Sequence, residues 1–552
     1  MVRSLRDRVG ESLDALRGVF ANAGLRRLVL AFAGSVFGSY AYGIAVAVYA
    51  YQHGGAAAVG LVAFVRLIAA AAVAPFASVL ADRVRRERVM LAADLFRAAT
   101  VTVAGIAAIG GAPALVVYAL AVATSVAGAS FRPAEASLMP TLARTPEELT
   151  AANVSTSTFD SLGSFLGPAL AGVLLAFAQP GVVFFVLAAS YVWSAAFVVR
   201  IRAPEPEPRA RMHAGGGGLA EAVAGFRAIA AEPRLRLLIS LYGAQAFVAG
   251  ALGVLVVVTA LKLLAIGTSG VGFLESASGI GSLIGAAIAL ALVTRKRLAG
   301  DFGLGIVLWG APLVVLGLYP NTVVALVALA VVGIGNTLVD IAAMTLMQRT
   351  APEAVAGRVF GVLDSMLVGA LGVGAVLAPL LVGVLGARAA LIVTGGLLPV
   401  LAALRWGRLR EIDEGARVPA ERVDALRAIS IFAPLPLQTI ELLALRLEPV
   451  HVAAGEDLFR RGDVGDRFYV VADGELEVLL DHETKIEVPG GYVGEIALLR
   501  DIPRTATVRA RVDATLWALD RDEFLAAVTG HARSREAANE VVGARLGYAP
   551  TA

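Results

Sequence analysis

The sequence predicts an α-helical membrane body of twelve spans in two pseudo-symmetric six-helix halves, followed by a C-terminal β jelly-roll barrel with flanking helices. The 552 residues are 58% hydrophobic and only 16% charged, with a mean hydropathy of +0.77. Soluble domains contain about a quarter charged residues. Residues 1–430 contain 34 basic and 24 acidic groups, whereas residues 431–530 contain 10 and 18. This change of sign, together with short β-rich runs after residue 430, indicates two domains of different kinds.

The membrane body is predicted from apolar stretches long enough to cross a bilayer, which needs roughly 20 residues. Ala and Gly dominate these stretches, as expected where helices pack closely. The predicted spans are 28–51, 57–80, 89–110, 113–131, 150–177, 181–199, 236–261, 270–293, 302–319, 322–347, 357–386 and 388–404.

The distribution of positive charge predicts the orientation. Arginine and lysine concentrate at the N-terminus and in every even-numbered loop, while the odd-numbered loops contain only Lys262 and Arg388. Because cytoplasmic loops are the basic ones, both termini are expected in the cytoplasm and the chain in the inner (cytoplasmic) membrane. Residues 1–27 are basic and amphipathic and have no small-residue cleavage site, so they are expected to be a cytoplasmic segment rather than a secretory signal.

The two halves are related by an internal repeat. RTPEELTAANV at 144–154 corresponds to RTAPEAVAGRV at 349–359, and each segment leads into the fifth helix of its half. Two repeated halves suit rocking around a midplane site. The expected domains are the N-terminal segment 1–27, the halves 28–200 and 236–405, the inter-half linker 201–235, the linker 406–430, and a C-terminal domain with its helices at 431–547.

Two motifs in residues 1–405 resemble the major facilitator superfamily, in particular its exporter-like branch. The loop SVLADRVRR at 78–86 is similar to the superfamily's loop motif, with Asp82 and Arg83 in place but Ser78 and Arg85 where that motif has glycine. The run GSFLGPALAG at 163–172, with Gly167 and Pro168, is similar to a motif of its antiporters. The proline frees a backbone carbonyl and permits a bend, which makes these residues gating candidates; the alternative is a packing seam.

Ionisable groups inside spans are the best pointers to transport. The candidates are Arg66, Asp160, Asp340 and Asp364. Asp160 and Asp340 lie roughly 15 Å and 13 Å from the basic ends of their helices at the α-helical rise, near the middle of the bilayer. Proton coupling through one of them is one hypothesis, and a partner on a neighbouring helix is the other. Glu275 is expected near an outer edge, in contact with water.

Asp94 and Arg97 are three residues apart on one helix, so they can form an ion pair. The favoured interpretation is a structural or gating latch beside the loop that contains Asp82 and Arg83.

The C-terminal region changes to short β-rich runs with glycines at turns, as in FYVVADGELEVLL, TATVRARV and TLWALD. Such runs predict a closed barrel, with helices at RVDALRAI and RDEFLAAVTG. The segment 494–508, GEIALLRDIPRTATV, closely resembles the phosphate-binding cassette of cyclic-nucleotide-binding domains. The resemblance covers residues 431–530.

This resemblance implies a nucleotide pocket at Gly494, Glu495, Ile496, Ala497, Arg504 and Thr505. Glycine permits close backbone approach to a phosphate at a helix start, and arginine can donate two hydrogen bonds to phosphate oxygens. The resemblance assigns Glu495 to the ribose 2′-hydroxyl. The expected ligand is cAMP. cGMP is the alternative ligand, because Thr505 could form a hydrogen bond with a guanine amino group. A barrel that binds nothing and only joins subunits is the alternative.

These observations favour a secondary transporter, an exporter of an amphipathic small molecule with possible proton coupling, regulated by the nucleotide through a difference in affinity between transporter states. The alternative is a membrane-anchored cyclic-nucleotide receptor without transport. The chain has no Cys and five scattered His, so no enzyme, metal site or cofactor is expected. The expected partners are the lipid bilayer, the nucleotide and an unidentified solute, and a second copy of the chain in a homodimer is a further candidate. No nucleic-acid partner is expected, because the barrel is acidic.

Overall fold

The computed structural model divides the chain into two units, Met1–Asp413 and Glu414–Ala552. It describes residues 19–201, 218–292, 298–350, 356–415, 420–480 and 484–546. Side chains within the described ranges are characterised except at 77–83, 218–224, 290–292, 349, 356, 414–415, 438, 532 and 546.

The first unit is a helical bundle, as predicted. In lipid every backbone polar group needs an internal partner, which a helix supplies. The helices are α1 Ala23–Arg83, α2 Arg86–Ile109, α3 Ala114–Gly128, α4 Phe131–Leu142, α5 Pro146–Phe177, α6 Pro180–Val198, α7 Gly218–Ala231, α8 Pro233–Val258, α9 Gly267–Leu292, α10 Leu298–Leu318, α11 Thr322–Thr350, α12 Ala356–Leu385 and α13 Ala387–Gly415. A π-helical turn, Thr259–Leu263, follows α8.

In the described part of the chain, eleven helices are long and apolar enough to cross a membrane. The first of them covers 54 residues, Ala23–Phe76, which at the α-helical rise is about 80 Å. A bilayer core is roughly 30 Å thick, so this helix is two crossings. Its direction changes at Gly54–Gly55, where Gly55 has φ 62°, a left-handed conformation that favours glycine. The bundle therefore has the twelve crossings that hydropathy and loop charge predicted.

Proline and a polar cap determine where several spans begin. α5 begins at Pro146, and the Thr145 side chain accepts a hydrogen bond from the Glu148 backbone N–H at 3.2 Å. Proline lacks the N–H that would be unpaired at this position, so it is favoured there. The span thus begins four residues before the hydropathic limit at 150, because the first helical turn is polar.

The two halves are in direct backbone contact at glycines. A Cβ atom placed on Gly272 of α9 would lie 2.5 Å from the Gly172 backbone nitrogen of α5, and one on Gly60 of α1 would lie 2.3 Å from the Ala375 carbonyl oxygen of α12. Any larger side chain would push the helices apart. Each contact lies near the helix ends that are remote from the arginine-rich loops, here called the far end of the bundle; the opposite one is the basic end.

The last spanning helix continues beyond the bilayer-length segment. The predicted linker 406–430 is helical at 406–415 and again in α14, Ala420–Ala428. Leu409 and Ile412 are buried in the bundle core. The Asp413 carboxylate accepts hydrogen bonds from the backbone N–H groups of Ala299 and Gly300, both at 2.8 Å, so it caps the start of α10.

The second unit contains the predicted barrel, with two four-stranded antiparallel sheets ordered β1-β8-β3-β6 and β2-β7-β4-β5. Phe432, Phe468 and Phe524 pack together at its core, with Phe468 and Phe524 stacked at 4.8 Å. The strands are β1 Glu448–Val452, β2 Asp457–Phe459, β3 Arg467–Asp473, β4 Leu476–Leu479, β5 Thr484–Glu487, β6 Tyr492–Val493, β7 Thr507–Ala510 and β8 Ala514–Asp520. The helices are α14, α15 Leu437–Arg446, α16 Glu495–Arg500, α17 Arg521–Thr529 and α18 Ala532–Leu546.

Candidate functional site

The predicted nucleotide pocket is built where β6 passes into α16. Gly494 has φ 97° and precedes the helix directly. A Cβ atom at this position would lie 2.5 Å from Nη1 of Arg504 and 2.9 Å from the Arg467 carbonyl oxygen. Both the left-handed backbone and the crowding require glycine. Gly494 and Arg504, ten residues apart in the chain, are therefore in contact.

Arg504 is held almost completely out of water, with 3% of its surface exposed. Its Nη1 donates to the Gly494 carbonyl at 3.1 Å, and its Nη2 donates to the Arg467 carbonyl at 2.8 Å. The guanidinium carbon lies 4.2 Å from the Phe459 ring centroid. Burial lowers the pKa of this guanidinium from its ordinary value. The position and orientation of the positive charge are thus set by backbone and ring contacts.

One N–H group of the Arg504 guanidinium donates no hydrogen bond to a described residue. Its Nε atom is buried and has no hydrogen-bond partner among the described residues. Its acidic neighbour Asp466, at 3.4 Å from Nη2, is largely exposed. A buried donor without a partner costs about 1–3 kcal/mol, so this side chain is poised to bind an anion that brings an acceptor oxygen.

Glu495 is 1% exposed and faces the C-terminal helix α18. Its Oε1 accepts from Nη1 of Arg545 at 2.9 Å, and Arg545 also contacts Glu487 at 3.2 Å and lies over the Tyr492 ring. Burial raises the pKa of Glu495, and the charge of Arg545 opposes that rise. Sequence reasoning missed Arg545, which lies on the C-terminal helix α18, 50 residues after Glu495.

The remaining predicted pocket residues lie around these two. Ala497 is buried, with 2% exposed, and Ile496 and Thr505 are half-buried. A Cβ atom on Gly465 would lie 2.8 Å from the Ala497 Cβ, so the start of α16 packs tightly against that loop.

In the bundle, Asp94 and Arg97 form a buried ion pair on α2, with side chains 0% and 5% exposed. Ser194 Oγ donates to Asp94 at 2.5 Å, Arg97 donates to Ser35 Oγ at 2.7 Å, and the Arg97 guanidinium lies 4.5 Å from the Tyr191 ring centroid. The pair thus joins three helices of the first half, an arrangement suited to the predicted latch.

Asp160 has a cationic partner that the sequence did not reveal. Nη2 of Arg132, on α4, lies 2.5 Å from Asp160 Oδ1, and the two side chains are 60% and 34% exposed. Glu135 lies three residues after Arg132 on the same helix. Oε1 of Glu135 is buried without a hydrogen-bond partner among the described residues.

Asp340, on α11, has only neutral partners among the described residues. It accepts from Tyr242 Oη at 2.8 Å and from Asn336 Nδ2 at 2.9 Å. Asn336 in turn accepts from Gln245 and from the Trp309 indole N–H. Asp364 is exposed on α12.

Arg66 lines a cavity of about 410 Å³ formed by both halves of the bundle. Its Nε donates to Ser125 Oγ at 2.8 Å. Glu275 lines the same cavity and is half-buried. Pro168 also lines it.

Gly167 packs within the first half. A Cβ atom there would lie 2.6 Å from the Tyr40 Cβ and 3.1 Å from the Phe37 carbonyl oxygen, so α5 and α1 approach closely. The predicted gating residues Asp82 and Arg83 lie outside the residues whose side chains are described.

Comparisons with known proteins assign each unit. A family model for the Major Facilitator Superfamily matches residues 28–370, and one for the cyclic nucleotide-binding domain matches residues 449–531. Uncharacterized ABC transporter ATP-binding proteins of Mycobacterium bovis and Mycobacterium tuberculosis are 38% identical over 119 residues, which is 19% of this chain and 35% of theirs. The chain thus spans about a third of the length of these curated relatives.

Two solved structures are similar to part of the chain. The regulatory domain of Toxoplasma gondii PKA with cAMP is 33% identical, with a TM-score of 0.20, and the alignment covers 22% of this chain and 46% of that one. PKAR CBD2 bound to Sp-2Cl-cAMPS is 28% identical, with a TM-score of 0.22, covering 25% of this chain and 97% of that one.

Proposed function

The chain belongs to the Major Facilitator Superfamily, and we propose that it is a secondary active exporter of an amphipathic small molecule, regulated by cAMP bound to its C-terminal domain. The observation that carries the regulatory part is the buried Nε of Arg504, which has no partner in the described part of the chain. The cyclic phosphate accepts from this N–H beside Gly494. The ribose 2′-hydroxyl donates to the Glu495 carboxylate. Arg545 must then either share this carboxylate with the ribose or move away from it. Thr505 leaves cGMP as the second nucleotide to test.

The loop charges support a cytoplasmic nucleotide domain. Arginines cluster at one end of the bundle, in the loops between spans 2 and 3, 4 and 5, and 6 and 7. Under the positive-inside rule this basic end faces the cytoplasm of the inner membrane, and so do both termini. The second messenger is made on that side, so the pocket and its ligand share a compartment.

A mechanical route from the nucleotide domain to the bundle begins at α13. This helix leads to the nucleotide domain, and its Asp413 caps the start of α10 while Leu409 and Ile412 are buried beside it. A nucleotide that prefers one position of the domain would thereby favour one position of α10. Allosteric coupling of this kind is typically worth about 1–3 kcal/mol.

Proton coupling is assigned to Asp340 rather than to Asp160. A carboxylate inside a membrane protein exchanges a proton most readily when no fixed cation holds it ionised. Asp160 pairs with Arg132, whereas the hydrogen-bond partners of Asp340 are Tyr242 and Asn336.

The experiment is solute flux in proteoliposomes that contain the full chain, with Hoechst 33342 as amphipathic probe, an imposed pH gradient, and cAMP added on the side of the nucleotide domain. We expect cAMP to change the flux several-fold, because the free energy of allosteric coupling is typically about 1–3 kcal/mol. In Arg504→Ala the cAMP affinity should fall about 10- to 100-fold, as expected for a lost charged hydrogen bond, and the effect on flux should disappear at the original concentration. Arg427→Ala, an exposed arginine of α14, is the matched control.

Calorimetric titration of the same preparation separates the outcomes. If cAMP binds but flux is identical with and without it, the chain is a membrane-anchored nucleotide receptor. If neither cAMP nor cGMP binds at millimolar concentration, the regulated-transporter proposal is wrong.

A further inference from the structure

The cavity between the halves contains two groups of opposite charge, one from each half. The rest of the lining is uncharged: it combines small and aliphatic residues such as Gly43, Ala47 and Val254 with hydroxyl side chains, which are those of Ser39, Tyr40, Ser164, Ser278 and Ser282. A volume of about 410 Å³ lies within the range of pockets for drug-sized molecules. Arg66 and Glu275 are therefore the lining residues that can select a solute by its charge.

Arg66 supplies the positive group from the second limb of α1. Its Nε hydrogen bond goes to the Ser125 hydroxyl, and its guanidinium carbon lies 5.7 Å from the Tyr42 ring centroid. Neither neighbour is an anion, and no described carboxylate lies within ion-pair distance of Arg66. Two terminal nitrogens remain for a bidentate contact with a carboxylate.

Glu275 supplies the negative group from α9 of the second half. It is the ninth residue of the helix, about 12 Å from the far end at the α-helical rise. No hydrogen bond or ion pair joins it to another described residue. Gly272 and Gly279 on either side of it are in backbone contact with α5, which fixes the helix and hence the place of the carboxylate.

We propose that this cavity binds an amphipathic zwitterion, with its ammonium group on Glu275, its carboxylate on Arg66 and its apolar body against the aliphatic wall. The inference rests on the proposed transport function and names its solute class. Burying an isolated charge is costly, and burying two of opposite sign becomes favourable when a ligand brings the complementary pair. A solute with one charge would leave the other protein group without a partner, so we expect it to bind more weakly than the zwitterion and still to enter the cavity.

The test uses three probes with the same apolar body: the dipeptide Phe-Phe, its C-terminal amide, and its N-acetyl derivative. Binding to the purified full chain in lipid nanodiscs is measured by calorimetry without nucleotide. We expect the zwitterionic dipeptide to bind about tenfold or more tightly than either singly charged derivative, since each loses one charged hydrogen bond.

Two variants test which protein side chain contacts which charged group of the dipeptide. Glu275→Gln should abolish the preference for Phe-Phe over the N-acetyl derivative but keep the preference over the amide, and Arg66→Gln should do the reverse. Glu411→Gln and Arg408→Gln, exposed on α13, should keep both preferences. Equal affinities for all three probes, no binding of any, or preferences unaffected by both variants would overturn the inference. Nucleotide-dependent flux of Hoechst 33342 is measured separately, so failure here leaves that proposal standing.

Discussion

Two acids in each six-helix half lie in opposite settings, and Glu135 of the first half, whose Oε1 has no partner among the described residues, is an exception to this comparison. In the first half Asp94 pairs with Arg97, and Asp160 pairs with Arg132. In the second half Asp340 is held by neutral donors, and Glu275 has no partner among the described residues. Arg66 of the first half is correspondingly without an acid.

This difference in partners separates acids with a structural role from acids with a role in transport. A paired acid is kept ionised and fixes one helix to another, so it contributes to a particular packing of the bundle. An acid without a cation can take up a proton or a ligand at modest cost. On this distinction the paired acids and Arg66 of the first half supply rigidity and one positive contact, and the second half supplies the groups that we propose change state during transport.

The largest effect is expected from breaking the buried pair. Asp94→Ala leaves the Arg97 guanidinium buried without a counter-ion, which should lower the free energy of unfolding by about 3–5 kcal/mol. Thermal unfolding of the full chain in detergent measures this. Asp94→Ala combined with Arg97→Met should recover a large part of the loss, because no unpaired charge remains. A single variant as stable as the wild type would remove the structural role of the pair.

The next effect concerns flux rather than stability. Asp340→Asn keeps a side chain that can bond to Tyr242 and Asn336, so the fold should persist. Because an amide cannot exchange a proton, solute flux should lose its dependence on the imposed pH gradient. The measurement is Hoechst 33342 flux at several gradients, with Glu411→Gln as the control. Flux that still follows the gradient would place proton exchange at another group.

Much of this arrangement could be predicted from the sequence, because its causes are local. Bilayer-length apolar runs and basic loops predicted twelve crossings, and the Asp94–Arg97 pair follows from a spacing of three on one helix. The cassette at 494–508 predicted Gly494 beside Arg504, since the pocket is built from one continuous segment and the turn that crosses it.

Partners from distant segments could not be predicted. Arg132 meets Asp160 and Arg545 meets Glu495 only through tertiary packing, 28 and 50 residues apart in the chain. That Glu275 lines a cavity could not be predicted either, because its depth was judged from its own helix and the cavity exists only where α1, α5, α8 and α9 surround it. The helical continuation through 406–415 was missed because its exposed face is polar, although Leu409 and Ile412 are buried.

The nucleotide domain contains a paired acid of its own, and a smaller effect is expected there. In the free domain burial raises the pKa of Glu495 and Arg545 opposes that rise. Arg545→Gln should raise this pKa further. Since a protonated Glu495 is a weaker acceptor for the ribose hydroxyl than the carboxylate is, cAMP affinity should begin to fall at a higher pH than in the wild type. Calorimetric titrations from neutral to mildly acidic pH give the profile.

The matched control for that profile is Arg533→Gln, an exposed arginine on the same helix. Its profile should coincide with that of the wild type. If cAMP affinity begins to fall at the same pH in Arg545→Gln as in the wild type, Arg545 does not control the ionisation of Glu495.

The smallest effect is expected at the exposed pair of the first half. Asp160→Asn removes an ion pair whose side chains are 34% and 60% exposed, so its loss strands no fully buried charge, unlike the loss of Asp94. The unfolding temperature should therefore hardly change, and flux should keep its dependence on the pH gradient. The same flux assay compares Asp160→Asn directly with Asp340→Asn. Loss of the gradient dependence at Asp160 would reverse the assignment of the two halves, because the acid with a fixed cation would then be the one that exchanges the proton.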